Sequence, residues 1–282
     1  MELLLEPLQY RFFLHGLIVS GIVGALCGLL GVYIVLRQMS YIGHGLAHAV
    51  FGGAVTSVLL HFNFYLGAGL WGLASVLLID RLASRRGFSA DVAIGIITTA
   101  SFAIGVALMS RMRHFMQDFE AALFGNVLGI SQYELWMITI VSIVAGVALI
   151  ALYKPLLFST FDEEVAQVCG VPTQRVRLVF ACLLALTILA AMQVLGVTLV
   201  AAAVVIPAAT ARLLTHNFAH MLTLSAVIGG TTAVVGMYLS YHLDIASGAS
   251  IVLFAAFCFA CILGFKQLRA WLVFRHRMHS KA

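Results

Sequence analysis

Seven stretches of this chain, each at least 19 residues long, contain no Asp, Glu, Lys or Arg: 12–36, 38–79, 92–110, 135–153, 178–211, 213–243 and 245–265. A helix that spans a membrane needs about 20 mostly apolar residues. The run 38–79 is long enough for two such helices, broken near residues 61–63. The run 178–211 holds two compact ones, broken near Gln193 and Gly196. We therefore predict nine membrane helices, or eight if one of the compact pair enters the membrane and returns.

The composition supports the same class of protein. Hydrophobic residues make up 62% of the chain and charged residues only 10%, against about 25% charged in typical soluble domains. The runs are continuously apolar and do not alternate, so helices satisfy the backbone there and a membrane barrel is excluded. We expect an all-α, polytopic helical membrane protein with one membrane domain over residues 1–282. Gly24 and Gly28, four residues apart, predict close helix–helix packing.

The basic residues predict the orientation, because loops on the cytoplasmic side carry an excess of Lys and Arg. With nine helices and an outside N-terminus, 13 of the 16 Lys and Arg fall inside, including the basic tail at about 266–282. Arg11, Arg111 and Arg113 stay outside. The net charge of +5 follows from this asymmetry and requires no nucleic-acid partner.

His44 and His48 lie inside the uncharged run 38–79, flanked by glycines. Residues four apart share one face of an α-helix, with Cβ atoms about 5–6 Å apart, so both imidazoles can reach one divalent metal. Ionisable groups inside a membrane are costly and mark functional sites by default. The alternative is two histidines bonded to backbone carbonyls, or a helix end that faces water. Two ligands do not fill a coordination shell, so a metal site here also needs water or other helices.

Two further segments carry polar groups outside the apolar runs. His216 and His220 repeat the i, i+4 spacing, but they follow Arg212, and we interpret them as part of a solvated loop or helix start. The loop 159–177 is predicted to form a short helix capped by Ser159 or Thr160. Its first turn would hold the acidic residues that favour a helix N-terminus, and it would end at Gly170. This element is either a surface loop or a docking site for a soluble partner. The acidic residues of the first turn are Asp162, Glu163 and Glu164.

Several function classes lack their motifs. The chain has no GxxxxGK[ST] loop, so it does not hydrolyse nucleotide by that route, and it has no GxSxG or HExxH motif. A membrane-bound di-iron enzyme, which uses HxxxH pairs, is the alternative from another class. Such an enzyme requires about eight histidines gathered on one side of the membrane, whereas the two pairs here lie in different environments.

Five segments in chain order carry a family resemblance: CGLLGVYIVLRQMSYIG (27–43), GHGLAHAVFGG (43–53), DFEAALFGNVLGIS (118–131), FDEEVAQVCGVP (161–172) and LGVTLVAAAVVIPAATARLLT (195–215). Together they resemble the membrane permease subunits of the manganese, zinc and iron importers of the ATP-binding-cassette class, the ABC-3 group. The likeness extends over about residues 10–265.

The resemblance implies a transport subunit and not an enzyme. It implies a homodimer of permeases in the plasma membrane of a prokaryote, a cytoplasmic ATP-binding subunit that hydrolyses ATP, and an extracytoplasmic metal-binding protein. The transported ion is manganese, zinc or iron, and no cofactor is bound permanently. The cytoplasmic coupling helix would cover about residues 160–172. Its coupling residues would be Asp162, Glu163, Glu164 and Gly170, while an outer approach for the cation would be formed by His114, Asp118 and Glu120.

The metal site implied by the resemblance consists of an Asp and a His four residues later. His48 falls on the histidine of that motif, and His44 falls on its aspartate. An imidazole in place of the carboxylate removes a negative charge and a hard oxygen ligand. A site with two imidazoles therefore suits zinc better than manganese. It also makes occupancy fall as pH drops, because both imidazoles must be neutral to bind.

Overall fold

The computed structural model of the protein describes residues 6–83, 85, 89–110, 123, 125 and 127–279. In this part of the chain, eleven α-helices follow one another and no strand is present. They are α1 (Arg11–Leu36), α2 (Ser40–Leu59), α3 (Phe64–Ala83), α4 (Ala90–Ser110), α5 (Gln132–Ala151), α6 (Tyr153–Phe161), α7 (Glu163–Val168), α8 (Thr173–Leu195), α9 (Val200–Leu214), α10 (Phe218–Leu243) and α11 (Ser247–His279).

Eight of these helices are long and apolar enough to cross a membrane, counted over the described residues: α1 to α5, α8, α10 and α11. The polytopic helical fold expected from the uncharged runs is therefore confirmed. The second half of the run 178–211 forms α9, which has only 15 residues. At a rise of about 1.5 Å per residue it is roughly 22 Å long, shorter than a hydrocarbon layer of about 30 Å.

The break between α8 and α9 lies at Gly196, as the sequence predicts. Gly196 has φ +77° and ends α8. It packs against Gly125, where a side chain would meet the Gly196 amide nitrogen at 2.8 Å. The α9 helix does not turn back from there. Its end at Leu214 lies four residues from Phe218, whose ring packs 5.4 Å from Tyr33 near the end of α1.

α1 and α10 form the most extensive helix pair, and their contact depends on small residues. A Cβ at Gly24 would lie 2.8 Å from the Ala233 Cβ, and one at Gly28 would lie 2.8 Å from the Ser225 carbonyl carbon. The Ser225 hydroxyl donates to the Gly28 carbonyl oxygen at 2.7 Å. The close packing predicted from the spacing of Gly24 and Gly28 is therefore confirmed.

α2 is held on two sides by neighbours that approach its glycines. Toward α4, a side chain at Gly45 would lie 2.8 Å from Ile94. Toward α3, a side chain at Gly53 would lie 2.7 Å from the ring of Trp71. α2 also contacts α8 and α9, so most of its surface is packed within the bundle.

The prediction that Ser159 or Thr160 caps the short helix is wrong. Both residues belong to the last turn of α6, where their hydroxyls donate to the Leu156 carbonyl oxygen at 3.2 and 2.6 Å. Asp162 is the cap of α7, and its Oδ1 accepts from the Val165 amide at 2.9 Å. The two hydroxyls donate to a carbonyl of their own helix, a known alternative for Ser and Thr. Asp162, which has extended backbone, therefore caps α7.

Candidate functional site

His44 and His48 lie one turn apart in α2, with ring centroids 4.4 Å from each other and ring planes 53° apart. Both side chains are half-buried. The predicted helical pairing of the two imidazoles is therefore present in the structure. Two rings at this separation are close enough to touch a common ion, because zinc–nitrogen bonds are about 2.0–2.1 Å long.

His48 is fixed by an aromatic neighbour and leaves one nitrogen without a partner. Its ring stacks on Phe102 of α4, with centroids 4.5 Å apart and planes 22° apart. The Nδ1 atom is buried and has no hydrogen-bond partner among the described residues. Buried polar atoms are satisfied in most structures, and an exception calls for an explanation. A bound ion would supply the missing partner.

The pair lies beside the flank of α2 that packs on α4, since the His48 ring stacks on Phe102 of that helix. Tyr41 lies one turn before His44, with ring centroids 5.9 Å apart, and is 57% exposed. The imidazoles therefore line a face that this chain covers only in part.

The two histidines have no third ligand near them in the described part of the chain, where no group of three or more His, Cys, Asp or Glu could hold a metal ion. The second i, i+4 pair does not join them. His216 precedes α10 and His220 lies in its first turn, both exposed, and Asn217 caps that helix by accepting from the His220 amide at 3.1 Å. This pair is a helix start, as the sequence indicates.

The predicted coupling residues lie together at the start and end of α7. Glu163 and Glu164 form its exposed first turn behind the Asp162 cap. Val168, the last residue of the helix, is 89% exposed. Gly170 has φ +80°, a conformation that favours glycine, and no atom lies within 4 Å of where its Cβ would be. The result is an acidic helix start followed by an exposed apolar tip.

Two arginines connect this region to the bundle. Arg37 follows α1 and donates from Nε to the Thr160 hydroxyl at 3.0 Å and from Nη2 to the Ser159 hydroxyl at 2.9 Å. Burial lowers the pKa of the Arg37 guanidinium, and the charge of Glu163 opposes that shift. Arg177 of α8 pairs with Asp80 at 2.9 Å.

One signal in the sequence could have identified the first of these arginines. Arg37 is the single charged residue between Phe12 and Ile79. A lone charge between two membrane helices needs either water or specific partners. The partners lie more than 120 residues away in the chain, which is why spacing did not reveal them.

Comparison with known proteins shows the family of this chain. Residues 9–266 match the ABC 3 transport family. The chain belongs to that family. It is 39% identical over 255 residues to the manganese transport system membrane protein MntC of Halalkalibacterium halodurans, covering 90% of this chain and 87% of that protein. It is 34% identical over 281 residues to the chelated iron transport system membrane protein YfeC of Yersinia pestis, covering 100% and 95%.

A solved structure supports the assignment. The chain is similar to a chain of PsaBC from Streptococcus pneumoniae in complex with Fab, with a TM-score of 0.85 and 31% sequence identity. The match covers 93% of this chain and 94% of that one. This ABC 3 chain is thus a multi-pass membrane subunit of an ATP-binding-cassette transporter, and a di-iron enzyme is not favoured.

The outer cation approach stays a prediction. His114, Asp118 and Glu120 lie outside the described residues.

Proposed function

We propose that this chain forms the membrane path of an ATP-driven importer for a divalent transition metal, and that His44 and His48 contact the ion in transit. The observation that carries the proposal is the unpartnered Nδ1 of His48, in a ring 4.4 Å from its neighbour. The names of the relatives, which are manganese and iron transport proteins, support the class of substrate.

The chemistry of the pair favours borderline metals. Imidazole suits zinc, iron and related ions, while carboxylates suit manganese and other hard cations. Neither histidine has a carboxylate beside it among the described residues. The remaining ligands are therefore water or groups from a second copy of the chain. A partly filled shell suits transit, because conduction requires that an ion can also leave.

The partners follow from the two ends of the bundle. A cytoplasmic ATP-binding subunit would dock on α7, where Asp162, Glu163 and Glu164 surround the apolar tip up to Gly170. An extracytoplasmic metal-binding protein would deliver the ion. A second permease copy would cover the partly exposed side chains of His44 and His48. We place the N-terminus outside and the C-terminus inside a prokaryotic plasma membrane, in agreement with the basic residues.

The deciding experiment is uptake of radioactive zinc and manganese into proteoliposomes that contain the chain with its ATP-binding subunit. Uptake that depends on ATP supports the proposal. If the reconstituted complex shows none, and the purified chain instead holds stoichiometric iron and oxidises a lipid unaided, the transport proposal is wrong.

A His44→Asp variant is expected to raise the ratio of manganese uptake to zinc uptake several-fold. The new carboxylate adds a hard oxygen and a negative charge at the ion. The measurement is competition between the two radioactive ions at constant ATP. His44→Asn, which adds an oxygen ligand without the charge, is the matched control. An unchanged ratio in the aspartate variant would show that residue 44 does not contact the ion.

A Glu164→Lys variant is expected to lose most co-purification with the ATP-binding subunit, because like charges brought together at an interface cost several kcal/mol. Glu164 is exposed, and no ion pair holds it within the described chain. Gln174→Lys also places a lysine on an exposed surface, that of α8, and is the control. Equal binding by both variants would reject α7 as the docking element.

A further inference from the structure

Arg37 joins three helices at the end of the bundle where α7 lies. It closes α1, it donates to Ser159 and Thr160 of α6 at 2.9 and 3.0 Å, and its guanidinium carbon lies 4.7 Å above the ring of Phe180 in α8. A guanidinium over an aromatic face is attracted to it. The side chain is therefore fixed from two directions, and any shift of α6 acts on Arg37.

Arg177 forms a second connection beside the first. Its Nε lies 2.9 Å from Asp80 at the end of α3, and its Nη1 lies 4.0 Å from Glu163 at the start of α7. The side chains of both acids are partly exposed, 31% for Asp80 and 48% for Glu163. Pairs at such exposure contribute little to stability, but they place the start of α7 beside α3 and α8.

Between these polar contacts and the start of α2 lies a cavity of about 410 Å³. Arg37 and Thr160 stand on its wall together with Ile42 and Leu46 of α2 and Ile94 of α4. Packed side chains transmit strain because they leave few voids. Among the described residues, this cavity separates α6 and α7 from α2, and the polar contacts at its wall are the link between them that we identify.

The connection between α1 and α2 that follows Arg37 is short and held by backbone hydrogen bonds. Only Gln38 and Met39 separate Arg37 from α2, and Gln38 adopts φ +56°. The Met39 amide donates to the Ile34 carbonyl oxygen at 3.0 Å, and the Arg37 amide donates to Tyr33 at the same distance. His44 follows seven residues after Arg37. A displacement of the guanidinium is thus passed to the first turns of α2 without a flexible loop between them.

We propose that Arg37 is a positioning residue, which transmits movement of α6 and α7 to α2 and so to the imidazole pair, while Arg177 keeps α7 attached to α3 and α8. The proposal rests on the transport function proposed above. It adds the connection between the docking element and the ion site, which are otherwise separated by the cavity.

The test compares variants in the reconstituted complex with its ATP-binding subunit, and the readout is the number of zinc ions imported per ATP hydrolysed. Arg37→Gln is expected to lower this ratio at least about fivefold, the lower end of typical coupling between sites. Co-purification of the ATP-binding subunit and zinc binding without ATP should stay at wild-type levels. Arg175→Gln, which removes an exposed arginine two residues before Arg177, should change none of the three quantities.

A double-mutant cycle separates transmission from a merely structural role. If Arg37 acts through the two hydroxyls, Ser159→Ala with Thr160→Val should lower the ratio as Arg37→Gln does. Combining all three changes should then add little, because groups in one network are not additive. The hydroxyl variant keeps the arginine, so it decides the matter if Arg37→Gln does not fold.

Two outcomes overturn the inference. One is an unchanged ratio of ions to ATP in the hydroxyl variant, and the other is a parallel loss of zinc binding and uptake at constant ratio. A wild-type complex that hydrolyses ATP without importing zinc or manganese is a different result. It rejects the transport proposal itself and this inference with it.

Discussion

His48→Ala is expected to reduce ATP-driven zinc uptake at least about 10-fold, since changes to residues that only hydrogen-bond to a metal ligand already cost about 10–100-fold in metal affinity or activity. The variant removes the buried Nδ1 that has no partner among the described residues. It also leaves His44 as a single ligand. The measurement is initial uptake into proteoliposomes at saturating ATP, with the amount of folded complex determined for each preparation.

Two control variants make this expectation specific. His220→Ala removes a histidine with the same spacing at the exposed start of α10 and should transport at the wild-type rate. His48→Phe keeps a ring to stack on Phe102 and removes both nitrogens. If His48→Phe transports normally, the imidazole is a packing residue and the proposed ion contact is wrong.

Gly28→Val is expected to lower the melting temperature of the purified chain by roughly 5–10 °C, which corresponds to about 3 kcal/mol for a chain of this size. A Cβ at position 28 would lie 2.8 Å from the Ser225 carbonyl carbon, and the obstacle is backbone, which cannot rotate away. Overpacking usually costs about 1–3 kcal/mol. The variant also disturbs the hydrogen bond from Ser225 to Gly28.

The control for this variant is Gly146→Val in α5, where no atom lies within 4 Å of the added Cβ. That change should leave the melting temperature within about 2 °C, as surface substitutions usually change stability by less than 0.5 kcal/mol. Similar melting temperatures for Gly28→Val and the wild type would show that α1 and α10 do not pack as described.

Much of the fold follows from the sequence because hydrophobic length is the strongest constraint in a membrane. The uncharged runs predicted the long helices, and Gly196 predicted the break before α9. The choice between nine helices and eight was open, because a 15-residue helix can end inside the membrane or continue. The contact of Phe218 with Tyr33, between residues 185 apart, brings the chain after α9 to the same end of the bundle as the end of α1, and no local pattern encodes such a contact.

The candidate site was predictable only where its members are neighbours in the chain. His44 and His48 share a helix face, so their spacing revealed them. The stacking on Phe102 and the bonds from Arg37 to Ser159 and Thr160 depend on how helices pack. The cap of α7 shows a similar limit on a smaller scale. Ser159, Thr160 and Asp162 are all good caps, and the contact with Arg37 favours leaving the two hydroxyls inside α6.

The last helix, α11, is longer than a membrane is thick. Its 33 residues extend about 50 Å, and the uncharged stretch from Ser247 to Phe265 by itself spans about 28 Å. Lys266 therefore stands at the edge of the hydrocarbon layer, where its ammonium group also donates to the Leu213 carbonyl oxygen. On the proposed orientation, Lys266 and Arg269 meet the anionic headgroups of the inner leaflet, each worth about 1 kcal/mol. On that orientation, these two basic residues would hold the end of α11 at the level of the headgroups, and the last turns of the helix would extend into the cytoplasm.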